Sequence, residues 1–136
     1  MTYGANEKKR ILVIDDDTIF LTTAELFLKD EYEMYKANSG EEAMKLLNDQ
    51  KIVPHLIMLD ILMPNMDGWQ IYNKLKALND YKEIPVVFLT SMNEETEKKR
   101  AQKIGAADYI TKPFNLTDLR SRIKKIILST AMTNKD

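Results

Sequence analysis

The residues Leu56 to Gly68, reading LIMLDILMPNMDG, constrain this chain more than any other stretch. Leu56, Ile57, Met58 and Leu59 form a continuous apolar run, bounded by Pro54 before it and by Pro64 and Gly68 after it. That is the pattern of a central strand covered on both faces. Asp60 closes the run. A carboxylate just past the C-terminal end of an interior strand is costly to desolvate without a partner, so the position points to a site more than to packing.

A matching arrangement lies near the N-terminus, where Arg10-Ile-Leu-Val-Ile-Asp-Asp-Asp-Thr18 is again an apolar run ending in acids. If the two strands are parallel neighbours, Asp15, Asp16 and Asp60 converge at one edge of the sheet. Like charges ~4 Å apart repel by about 4 kcal/mol per pair at an effective dielectric of about 20, so something cationic has to sit among them. The chain offers oxygen ligands for a divalent ion, and the ammonium of Lys112 at the end of the short segment Tyr109-Ile-Thr-Lys112.

With the hydroxyl of Thr90 in PVVFLTS and Lys112 in DYITKPF, these motifs resemble a response-regulator receiver domain of two-component and phosphorelay signalling. Asp15, Asp16, Asp60, Thr90 and Lys112 stand in that family's order and spacing. The resemblance runs over residues 10–128, leaving 1–9 and 129–136 as expected tails. It implies that Asp60 is the phosphoacceptor, receiving a phosphoryl group from a histidine kinase or phosphotransfer protein, with Thr90 and Lys112 as its catalytic partners. It implies Mg²⁺, with Mn²⁺ as a substitute, on Asp15, Asp16, Asp60 and the backbone carbonyl of Leu62. Thr90 and Tyr109 would form the switch that moves the face of helix four, strand five and helix five. Leu62 and Met92 would flank the path of attacking water and set the phosphate lifetime, and Lys112-Pro113 would be a cis peptide. Chemistry would be limited to the domain's own phosphorylation and dephosphorylation. DNA-binding relatives dimerise through the switch face by charged pairs. Glu97, Lys98, Asp108 and Arg122 resemble some of those positions but Ala107 does not, so only a weak phosphorylation-dependent homodimer is expected.

Strand and helix patterns alternate along the chain, the signature of an α/β domain with a parallel sheet. Five such pairs with their acids at one edge fit the doubly wound, flavodoxin-like order 2-1-3-4-5, in which strands one and three are neighbours. Asp17 is a plausible cap for helix one, with Phe20, Ala24, Phe27 and Leu28 as its buried stripe. Strand two is expected at Glu33 to Ala37. Ser39-Gly-Glu-Glu42 reads as a capping box for helix two, with Ala43, Leu46 and Leu47 inward. Gly68 is expected to relieve the turn before helix three, whose stripe is Ile71, Leu75 and Leu78. Strand four spans Pro85 to Thr90. Helix four, from Asn93 to Ile104, has little apolar anchoring and ends at Gly105. Helix five opens at Asn115 or Thr117 and carries Leu116, Leu119, Ile123, Ile126 and Ile127.

A length of 136 residues suits one domain, and the apolar runs are far shorter than the ~20 residues that span a bilayer. The polar start, Met1 to Arg10, lacks an apolar signal core, so the cytoplasm is expected. The net charge of −1, with basic residues dispersed among acids, argues against direct nucleic-acid binding. The absence of cysteine excludes disulfides and thiolate metal sites. His55, the lone histidine, sits beside a proline at a strand start and reads as structural; Trp69 reads as packing. A haloacid-dehalogenase-like phosphatase is the rival class, because Asp15-Asp16-Asp17 loosely satisfies its D-x-D motif. That class needs a further late acidic motif, where this chain supplies Lys112-Pro113. The downstream output is not legible.

Overall fold

The computed structural model describes residues 7–133. Strands and helices alternate as β1 (Lys9–Ile14), α1 (Thr18–Leu28), β2 (Tyr32–Ala37), α2 (Gly40–Asn48), β3 (Leu56–Leu59), α3 (Gly68–Lys76), β4 (Val86–Thr90), α4 (Glu95–Ile104), β5 (Asp108–Thr111) and α5 (Leu116–Thr133). All strand pairings are parallel, in the expected order 2-1-3-4-5.

Side chains alternate across the sheet with a period of two, which sorts the core onto two faces. Leu12, Ile14, Ile57, Leu59 and Phe88 pack against Ala43 and Leu47 of α2, Trp69, Ile71, Tyr72 and Leu75 of α3, and Ala101 of α4. Ile11, Val13, Met58, Val87 and Leu89 pack on the other side against Leu21, Ala24 and Leu28 of α1 and Leu119, Ile123 and Ile127 of α5. β3 is buried at all four positions, which is why it reads as an unbroken apolar run.

The helix ends follow side-chain chemistry. The Asp17 carboxylate accepts from the N–H groups of Ile19 and Phe20 at the start of α1. Ser39 accepts from the Glu42 N–H, while the Glu42 carboxylate reaches one residue past the expected box to the Asn38 N–H. Asp67 and Gln70 form a complete capping box on α3 that the pattern reading overlooked. Asn115 opens α5, its side chain accepting from the Asp118 N–H. Gly105 ends α4 in the left-handed region at φ 91°. α4 buries only Ala101 and begins without a side-chain cap, in line with its sparse apolar pattern.

Three expectations are corrected by packing. The stripe of α1 is Leu21, Ala24 and Leu28, with Phe20 half-buried and Phe27 exposed. Both offsets fit a 3.6-residue period, and the sheet face selects between them. α3 ends at Lys76, which leaves Leu78 beyond it and brings Trp69 and Tyr72 into the core instead. Gly68 is needed for room and not for a positive φ, since a Cβ there would sit 2.3 Å from the Asp60 carbonyl oxygen. α5 continues past Leu128 to Thr133, into the segment expected as a tail. β1 likewise begins at Lys9, within the expected N-terminal tail. The rest of those two tails, residues 1–6 and 134–136, lies outside the described residues.

Candidate functional site

Strand register places the acids. Ile14 pairs with Leu59 across β1 and β3, so the next residue on each, Asp15 and Asp60, emerge side by side at the C-terminal edge. The Asp15 N–H donates to the Ala37 carbonyl at 3.1 Å and the Asp60 N–H to the Ile14 carbonyl at 3.0 Å, which fixes both backbones one residue past their strands. Thr90 pairs with Thr111 across β4 and β5, and the Lys112 N–H donates to the Thr90 carbonyl at 2.8 Å. The lysine therefore leaves β5 at the same edge. The Lys112-Pro113 peptide is cis, as the resemblance implied.

Carboxylate oxygens of Asp15, Asp16 and Asp60 all lie within 4.8 Å of one another. Asp15 is 1% exposed and Asp60 8%, while Asp16 faces solvent. Lys112 Nζ lies 2.5 Å from Asp15 Oδ2 and 3.7 Å from Asp60 Oδ2. The other oxygens are also engaged: Asp15 Oδ1 accepts from the Asp17 N–H at 2.9 Å, and Asp60 Oδ1 from the Ile61 N–H at 2.7 Å. Burial pushes the Asp15 carboxyl up from its ordinary value. The hydrogen bonds from Lys112 and the Asp17 N–H oppose that rise, and the Asp60 charge adds to it. Three carboxylates facing one ammonium leave uncompensated negative charge at a buried edge, and an all-oxygen donor set of this kind suits a hard divalent cation. Leu62 lies in the loop two residues past Asp60 and is 53% exposed.

The expected switch residues lie on β4 and β5. Thr90 shares its strand parity with Phe88, on the α4 side of the sheet. Thr90 is fully buried, and its Oγ1 accepts from the Met92 N–H at 3.3 Å. Tyr109 is half-buried beside Phe88, with ring centroids 6.3 Å apart, and its hydroxyl donates to the Met92 carbonyl at 2.6 Å. Burial, with the charges of Glu97, Glu94 and Asp60 adding to it, pushes the Tyr109 phenol up to about 12. Glu97 Oε2 is buried without a hydrogen-bond partner. Arg122 pairs within the chain, with Asp108 at 3.1 Å and with Asp118 at 3.0 Å, so two of the four charged positions expected to meet a second copy are already satisfied internally.

Other contacts were not legible beforehand. His55 Nδ1 accepts from the Arg10 N–H at 2.9 Å, joining the start of β3 to β1. The Arg100 guanidinium of α4 sits 4.2 Å from the Trp69 ring centroid, and the Tyr72 hydroxyl donates to the Ile104 carbonyl at 3.0 Å. Lys112 Nζ stands 4.2 Å from the ring centroid of Phe20. Each joins residues far apart in sequence, and the only advance signal was an aromatic or a histidine beside a motif.

The chain is similar to known proteins. The sequence model of the response regulator receiver domain matches residues 11–124. The heme response regulator HssR of Staphylococcus aureus is 41% identical over 117 residues, covering 85% of this chain and 50% of that protein. A probable transcriptional regulator, ycf27, of Pyropia yezoensis is 36% identical over 123 residues, covering 90% and 49%. The chain thus spans about half the length of the curated relatives it matches. Among solved structures, a CheY-like receiver domain protein of Methanospirillum hungatei superimposes with a TM-score of 0.84 at 28% identity, over 94% of this chain and 100% of that one. The receiver domain of a signal transduction histidine kinase from Syntrophus aciditrophicus gives 0.78 at 31% identity, over 89% and 91%. This chain belongs to the response regulator receiver domain family. The phosphatase alternative is not supported, because the site's late contributor is Lys112 and not a further acid.

Proposed function

We propose that the domain carries signal as an aspartyl phosphate on Asp60, accepted from a histidine kinase or phosphotransfer protein. The observation that supports this most is the convergence of Asp15, Asp16 and Asp60 within 4.8 Å around a lysine that touches two of them. One oxygen of Asp60 attacks the phosphorus of a phosphohistidine. The O–P bond forms as the P–N bond breaks, and the electron pair returns to the imidazole, which takes up a proton. A carboxylate is a weak nucleophile, so the protein's contribution is positioning and charge compensation. Lys112, within 3.7 Å of Asp60, meets the incoming phosphoryl oxygens with a positive charge, and the Thr90 hydroxyl gives up the Met92 N–H to donate to them. Asp15, Asp16, Asp60 and the Leu62 carbonyl would hold Mg²⁺, or Mn²⁺ in its place, which when bound neutralises charge on the phosphoryl group.

Chemistry on this reading is confined to the domain's own phosphorylation and dephosphorylation, in the cytoplasm. Among the described residues no helix is long and apolar enough to cross a membrane. Loss of the Thr90 hydroxyl's present bond and inward rotation of Tyr109 carry the change to the α4, β5 and α5 face, where a downstream protein or output domain reads it. Self-association there is weak, because Arg122 is already paired within the chain. The test is labelling by acetyl phosphate followed by intact mass and peptide mapping. One phosphoryl group, lost in Asp60→Asn and dependent on Mg²⁺, is expected; labelling that survives in Asp60→Asn, or multiple turnover of a phosphomonoester, would overturn the assignment.

A further inference from the structure

We propose that Phe20 is a positioning residue for Lys112, its ring face holding the ammonium at the acidic edge. The inference rests on the reading of Asp60 as phosphoacceptor and deepens it. Lys112 Nζ has three neighbours that define its place: Asp15 Oδ2 at 2.5 Å, Asp60 Oδ2 at 3.7 Å, and the Phe20 ring with its centroid at 4.2 Å. Two of these are expected of any acid-paired lysine. The third is not, because an aliphatic side chain at this position on α1 would fill the same space without attracting a cation.

The face of an aromatic ring is the negative end of its quadrupole, so an ammonium over it is attracted while being denied water on that side. Which part of the ring meets the lysine is itself controlled. Phe114, two residues past Lys112, lies against Phe20 at a centroid distance of 5.9 Å and an interplanar angle of 88°. This edge-on contact orients the Phe20 ring, and both rings pack against the α1 and α5 side of the core. Phe20 was expected in the buried stripe of α1, yet it is half-buried at the sheet's edge, where this role accounts for its exposure.

The consequence is for the motion of a long, flexible side chain. Lysine is a compact charge on four rotatable carbons, and without a second hold it samples positions away from the pocket. Over the Phe20 ring it keeps to a short path between Asp15 and the oxygens that arrive on Asp60. The ring is not a chemical participant; it acts through Lys112.

The test uses the whole chain, acetyl phosphate as donor and Mg²⁺ throughout, with Phe20→Leu and Phe20→Tyr compared. The leucine variant should label Asp60 about fivefold more slowly, the factor of an ordinary cation–π contact, and the tyrosine variant should restore the rate to within about twofold of wild type. Nuclear magnetic resonance supplies a readout that packing alone would not move. The ε-methylene protons of Lys112 should lie upfield in the wild type and in Phe20→Tyr, through the ring current, and return toward the free-lysine position in Phe20→Leu. Equal labelling rates in wild type and Phe20→Leu would overturn the proposal. So would unshifted ε-methylene protons in the wild type, a measurement that needs no variant to fold. If instead the Asp60 reading fails, the wild type itself stays unlabelled while the ring-current shift persists, so the two failures are distinguishable.

Discussion

The Tyr109 hydroxyl donates to the Met92 carbonyl at 2.6 Å and so ties β5 to the loop that leaves the end of β4. Met92 in turn donates its N–H to the Thr90 hydroxyl, so one loop residue connects both expected switch side chains. Tyr109→Phe should lower stability by about 0.5–1.5 kcal/mol, the net worth of a hydrogen bond. It should also speed amide exchange at Met92. Because the folded phenol titrates at about 12 against an ordinary 10.0, its neutral form is the one the fold favours. Tyr109's contribution is then fully present below about pH 10 and lost as pH rises toward about 12. Urea denaturation across that window should fall less steeply for Tyr109→Phe than for wild type; parallel curves would contradict this.

His55 should make the protein sensitive to mild acid. Its Nδ1 accepts the Arg10 N–H, which requires that nitrogen to be unprotonated, and burial with the nearby charges of Arg10 and Lys9 pushes the imidazole below its ordinary 6.5. The unfolded chain therefore binds the proton more readily. The stability His55 contributes is present above about pH 6.5 and declines as pH falls below it. His55→Phe, which cannot titrate, should flatten the fall in melting temperature on acidification, though at neutral pH it should cost about 1–3 kcal/mol for the orphaned Arg10 N–H.

The hold on α4 should depend on two contacts that its residues make with α3. With only Ala101 buried and no N-terminal cap, the helix leans on Arg100 over Trp69 and on the Tyr72 hydroxyl at the Ile104 carbonyl. Arg100→Ala should cost about 0.5–1 kcal/mol. Hydrogen exchange should then quicken across Glu95 to Ile104 more than in α5. Trp69, the sole tryptophan, should report the change as a shift in its emission.

These cases show where sequence reading succeeds and where it stops. β3 and Asp60 were legible because burial on both faces demands an unbroken apolar run and because a carboxylate at its end has no packing explanation. The convergence of Asp15 and Asp60 followed from two apolar runs that each end in acids and pair as neighbours, and the repulsion between them called for a cation, which Lys112 supplies. The offset of the α1 stripe was not legible, because Phe20 and Leu21 satisfy the same period and only the sheet decides between them. Gly68 shows a further limit: its small size answers to the Asp60 carbonyl, a neighbour from the preceding strand end, and not to its own backbone angle.

Metal binding should appear as a stability effect that depends on Asp16. Among the site's acids Asp16 is the exposed one and has no part in the Lys112 pairs, so removing it leaves the apo packing in place. At about 100 times its dissociation constant, Mg²⁺ should stabilise the wild type by about 2.7 kcal/mol. Asp16→Ala should abolish most of the accompanying rise in melting temperature. A mutant that responds to Mg²⁺ as wild type does would remove Asp16 from the ligand set.

The lifetime of the phosphorylated state should be set by Leu62 and Met92, two residues beyond Asp60 and Thr90. Leu62 is 53% exposed in the loop after Asp60, so its side chain is free to cover the acceptor. Met92 is half-buried, with its carbonyl and N–H held by Tyr109 and Thr90, which limits how far its side chain can withdraw. Neither side chain can orient water by a strong hydrogen bond, and on this proposal both would shield the in-line path to phosphorus. Leu62→Asn combined with Met92→Glu should therefore speed loss of phosphate roughly tenfold, a barrier change of about 1.4 kcal/mol. The measurement is decay of the labelled Asp60 with Mg²⁺ saturating and the donor removed. Decay in the double variant that is equal to or slower than in wild type would show that water reaches the acyl phosphate by a route these two residues do not cover.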